Sequence, residues 1–263
     1  MSVQQPGFIR ESTLQSQPGT APWWVGRRHP VWLAVGLAAV TMLLTAAIGV
    51  GGRVFAPTAD PISVRLAAVL FLAVGACVVV GGAGAWRRVG AGGPAGWRQP
   101  GLLIVPGIIA LAPIVTGIEL PGGSLLIVLV VGYVATGVFE ELWHRGLILD
   151  VLRGLGVRRS AILGGALFAG THLANVVFGQ PIAVTLAQAV GAFCFGVGFS
   201  LMRWRTNAIW LLIAIHATGD LLLHITGLHG GLLWVFLVGH DIAMGLWGLW
   251  CLRGLRDEAR VLA

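Results

Sequence analysis

Residues 124–149 read SLLIVLVVGYVATGVFEELWHRGLIL, an apolar run of membrane-spanning length into which two glutamates, a histidine and an arginine are set. An ionisable side chain at membrane depth costs about 2.5 kcal/mol or more, so four of them within six residues persist only with a task or a partner. The stretch FEELWHRG, Phe139 to Gly146, is therefore the first candidate for the working part of the chain.

The remaining sequence supplies the setting. Hydrophobic residues make up 57% of the 263 and charged residues 10%, with a mean hydropathy of +0.88, far too apolar for a soluble fold. Apolar runs long enough to cross a hydrocarbon core roughly 30 Å thick fall near 31–51, 63–85, 101–118, 124–149, 160–177, 182–202, 208–226 and 232–252. The expected fold class is all-α, a polytopic membrane helix bundle of about eight transmembrane helices. Pro106 and Pro113 interrupt the third run, so its limits are soft.

The basic residues test this count, because cytoplasmic loops are enriched in Lys and Arg. All 17 are arginines. With the N-terminus inside, fourteen are cytoplasmic: Arg10, Arg27, Arg28, Arg87, Arg88, Arg98, Arg153, Arg158, Arg159, Arg203, Arg205, Arg253, Arg256 and Arg260. Arg53 and Arg65 fall on the other side, and Arg145 lies within a span. The expected location is the cell membrane, multi-pass, with both termini cytoplasmic. The net charge of +7 then follows from topology and from attraction to anionic lipid, and no nucleic acid is implied.

Residues 1–28 read as a disordered cytoplasmic tail, without a signal peptide. Residues 29–100 form two accessory spans and a basic, Gly-rich loop, and 101–263 a six-span core that carries every motif. Cys77, Cys194 and Cys251 sit in apolar spans at no metal-like spacing and read as small buried side chains. Trp23, Trp24, Trp32, Trp86 and Trp97 fit interfacial anchors.

Depth brings separate spans together. At 1.5 Å per residue, Glu140, His172 and His216 all lie roughly 12–18 Å from the cytoplasmic surface. Asp220, one turn beyond His216 on the same face, extends this layer toward the far side. Carboxylates and imidazoles at one depth are what a buried hydrolytic or metal site requires.

These residues resemble the CAAX protease and bacteriocin-processing family of glutamate-dependent or metallo intramembrane endopeptidases. Its Glu-Glu-x-x-x-Arg motif is matched by Glu140, Glu141 and Arg145, its Phe-x-x-x-His by Phe168 and His172, and its His-x-x-x-Asn by His216 with Asp220 in the last place. The resemblance covers about 124–226 and implies peptide-bond hydrolysis. Glu140 would be the general base with His172 assisting, and His216 would donate to the oxyanion. Glu141, Arg145 and Phe168 would support them. Asp in place of Asn departs from the pattern, since Asp donates only when protonated. Its role stays open between donor, orienter of His216 and metal ligand.

A zinc ion held by His172, His216 and carboxylates of Glu140 or Asp220 is one reading, and metal-free glutamate-activated water is the favoured one. Glu141 and Arg145, four apart, suit a helix ion pair. His144 reads as a neighbour of Glu140, Asn175 as bordering the cleft or capping its span, and His240 with Asp241 as bridging helices. The expected partners are a membrane-associated peptide or protein substrate and the lipid bilayer, with the polar cavity opening toward the cytoplasm or inner leaflet. No prenyl pocket is readable. A non-catalytic immunity or binding protein of the same fold, and a proton-coupled transporter, are the rival classes.

Overall fold

The computed structural model describes residues 22–93 and 100–252. Eight helices follow one another, connected by short turns: α1 (Pro30–Phe55), α2 (Pro61–Gly82), α3 (Gly101–Thr116), α4 (Gly123–Val151), α5 (Val157–Phe178), α6 (Ile182–Thr206), α7 (Ile209–His224) and α8 (Gly230–Cys251). This is the all-α bundle expected of a multi-pass membrane protein, with helix limits within four residues of those read from hydropathy. The residues at 1–21, Arg98, Arg253, Arg256, Arg260 and Trp97 lie outside the described residues.

Six of the helices are long and apolar enough to cross a membrane, whereas α3 and α7 are shorter. The 16 residues of α7 reach about 24 Å, less than the hydrocarbon thickness. Beyond both short helices the backbone continues extended and pairs with itself. Ile118 bridges Thr226, Glu119 N–H donates to the Ile225 carbonyl (2.7 Å) and Gly227 N–H to that of Gly117 (3.2 Å). Non-helical backbone at this depth is thereby satisfied within the protein.

Helix α6 is the axis of the motif-bearing half, packing against α5 on one side and α8 on the other. Small residues permit this. A Cβ on Gly248 would strike the backbone of Gly198, and one on Gly196 would lie 2.8 Å from the Gly165 Cα. In a membrane, where apolar burial gives helices little reason to associate, such backbone proximity supplies the packing. Helices α1 and α2 join the same body: Leu37, Ala38, Leu72 and Ala76 share a core with Phe139, Leu142, Leu147 and Ile213 of α4 and α7.

The bundle has two unlike ends. One gathers residues 22–29, the turn after α2, the α4–α5 turn and the α6–α7 turn, and carries nine of the described arginines. It is tied shut. Arg203 donates to the backbone carbonyls of Val89 and Arg88 (both 3.0 Å) and to Asn207, whose left-handed φ of 53° turns the chain into α7. Asp150 accepts from the indole of Trp24 (2.8 Å) and pairs with Arg88 and Arg153. Trp24 is thus a buried tie rather than the lipid anchor expected of it, because Asp150 requires a donor. The other end, with the turns at 56–60, 117–122, 179–181 and 225–229, carries Arg53 and Arg65.

Candidate active site

Helix α4 changes character where its charges begin. From Glu141 to Ile148 it widens into π-helical turns, a departure from α geometry that concentrates at functional sites. Adjacent residues point about 100° apart around a helix, so the two glutamates face different surroundings. Glu140 is directed into a cavity and Glu141 into protein, with side-chain exposures of 17% and 0%.

Glu141 sits between two cationic or donor groups. Its Oε1 lies 3.1 Å from the Arg145 guanidinium and 2.7 Å from His216 Nδ1. A carboxylate held by an arginine only accepts, so Nδ1 carries the hydrogen and the ring is fixed in orientation. His216 Nε2 is thereby aimed at Glu140 Oε2 (3.6 Å) and Asp220 Oδ2 (3.5 Å). Both separations are longer than a good hydrogen bond, and the three groups turn toward the same part of the cavity.

An aromatic cage supports this cluster from the arginine-rich side. The Arg145 guanidinium lies 4.0 Å from the Phe168 ring centroid and 5.3 and 5.6 Å from those of Phe195 and Phe199. Phe195 also meets His216 at 4.8 Å, and Phe168 meets His172 at 4.6 Å. A buried cation on ring faces recovers part of its lost hydration without further hydrogen bonds. Phe168 touches Arg145, His172 and His144 at once.

Glu140, His172, His216 and Asp220 line one cavity of about 110 Å³, open to the outside. His172, at the point where α5 tightens from α into 3₁₀ geometry, donates Nδ1–H to the Phe168 carbonyl (2.9 Å), leaving Nε2 free to face the cavity contents. Helices α1 and α2 also contribute walls, through Thr41, Thr45, Arg65 and Leu72. Asn175 borders the cavity and donates to Gln188 (2.8 Å).

Asp241 lines this cavity as well as packing α8 against α6. Gly191 of α6 leaves the space its carboxylate occupies, and His240 Nδ1 lies 3.1 Å away. Its cost in an apolar span was the only signal for it in the sequence, since no motif reaches α8. His144 is turned away from the cavity, edge-on to Phe168 at 4.9 Å. Among the described residues no group of three or more His, Cys, Asp or Glu side chains is arranged to hold a metal ion.

Residues 122–222, from the start of α4 to near the end of α7, match the family model described as type II CAAX prenyl endopeptidase Rce1-like. This segment is Rce1-like. It contains all three motifs and every residue of the cluster around His216. The match supports the resemblance to the CAAX protease and bacteriocin-processing family carried by those motifs, over the segment that holds them. No curated protein matches the chain.

Proposed function

We propose that this protein hydrolyses a peptide bond of a membrane-associated peptide or protein with water activated by Glu140. The observation that carries this reading is the convergence of Glu140, His172, His216 and Asp220 on one sheltered cavity within an Rce1-like segment. Water held in the cavity against Glu140, within reach of His216, loses a proton to Glu140 as its oxygen attacks the scissile carbonyl carbon. The resulting oxyanion is stabilised by donors on the cavity wall, foremost His216 protonated at both nitrogens, its Nδ1–H held by Glu141 and its Nε2–H facing the cavity beside Asp220. Collapse breaks the carbon–nitrogen bond, and the proton passes through His172 to the departing amine.

Asp220 in the place of Asn serves in this scheme as the second acceptor that orients His216 Nε2, because its Oδ2 and the Glu140 carboxylate flank that nitrogen at matching distances. Arg145 neutralises Glu141 and acts through it. The test is a comparison of membrane peptides from cells expressing the protein and its Glu140→Gln variant at equal levels. Fragments present with the former and missing with the latter support the reading, and identical peptide profiles under inducing conditions oppose it.

A further inference from the structure

The cavity is not placed as a site serving cytoplasmic substrates would be. Its floor consists of Phe139, Glu140, Phe168, Phe195 and His216, and no lining residue lies beyond Glu140 on α4 toward the arginine-rich end. In the opposite direction the lining runs to Arg65, four residues into α2, to Phe178 at the last position of α5 and to Leu223, next to last in α7. The lining thus extends away from the arginine-rich end, whereas the expectation was a mouth toward the cytoplasm or inner leaflet.

Two further observations agree. Below the floor lie the Arg145 aromatic cage and then the tie formed by Arg203, Asn207, Trp24 and Asp150, which close the arginine-rich end. At the other end the α5–α6 turn is recessed. A Cβ on Gly49, six residues before the end of α1, would touch Val177 and Phe178, so that turn stops about 9 Å short of its neighbour. The arginine distribution orients the bundle, since loops rich in Arg stay in the cytoplasm.

We infer that substrate reaches Glu140 from the non-cytoplasmic face, so that the substrate class is an exported peptide or an extracytoplasmic segment beside a membrane anchor. This rests on the endopeptidase reading for its chemistry, though the direction of access stands on packing and charge alone. The lining carries carboxylates of Glu140, Asp220 and Asp241 against the single guanidinium of Arg65, and segments bearing basic residues are accordingly favoured over acidic ones.

The test uses full-length protein in which Cys77, Cys194 and Cys251 are replaced by Ser, with single cysteines then introduced as Asn175→Cys in the cavity, Glu119→Cys at the opposite end and Arg87→Cys at the arginine-rich end. Spheroplasts are treated with a membrane-impermeant maleimide before and after permeabilisation. The expected result is labelling of the 175 and 119 variants in intact spheroplasts to the extent seen after permeabilisation, and of the 87 variant only afterwards. Labelling at 175 only after permeabilisation, or in neither state, overturns the inference. Cleavage plays no part in this readout, so loss of the hydrolase reading through an active Glu140→Gln variant would leave the labelling pattern unchanged.

Discussion

Glu140 and Glu141 are neighbours with different work, one facing a cavity and the other holding His216 from within the protein. Arg145 is 1% exposed and its only ionic partner among the described residues is Glu141. Arg145→Ala should therefore destabilise the fold by about 3–5 kcal/mol, by stranding a buried carboxylate, as measured by thermal unfolding in detergent. Glu141→Gln keeps the volume and one acceptor while weakening control of the imidazole. It should lower kcat on the order of 10²-fold or more with little change in KM, a split that a purely structural role would not produce. The ion pair of Glu141 and Arg145 was readable from their spacing of four. The bond from Glu141 to His216, 75 positions away, was not, because it depends on how α4 widens and on the face it turns to α7.

The helices themselves were largely written in the hydropathy, since each apolar run must satisfy its own backbone in lipid. Their internal irregularities were not: nothing in ELWHRGLI announces π-helical turns, nor does HLANVVF announce a 3₁₀ segment, because both are settled by what the helix packs against. The same holds for Asp241, whose depth was plain and whose access to the site depends on the pairing of α8 with α6 at Gly191. That pairing is tightest at Gly198 and Gly248. Gly198→Leu should force α6 and α8 apart, cost about 1–3 kcal/mol or more and lower the thermal midpoint, whereas Gly231→Leu, with open space at its Cβ, should be tolerated.

Taken as one body, the molecule is a bundle sealed at its arginine-rich end and hollow toward the other. Arg203 fastens the seal by donating to three oxygens, so Arg203→Ala should loosen residues 83–93. The expected outcome is a loss of about 2 kcal/mol or more and faster proteolysis of that loop in detergent, with the cavity left in place. The arginines that the sequence assigns to one side do gather at one end of the bundle, but the end toward which the cavity extends emerged only from the depth of its lining on seven helices. The most direct test of a hydrolytic water held in that hollow is the turnover of purified, reconstituted protein on a peptide identified from the membrane comparison, measured for the unaltered chain and for Glu140→Gln. A general base in this position predicts a fall in kcat of about 10²- to 10⁴-fold with an unchanged thermal midpoint; undiminished turnover by the Gln variant would contradict it.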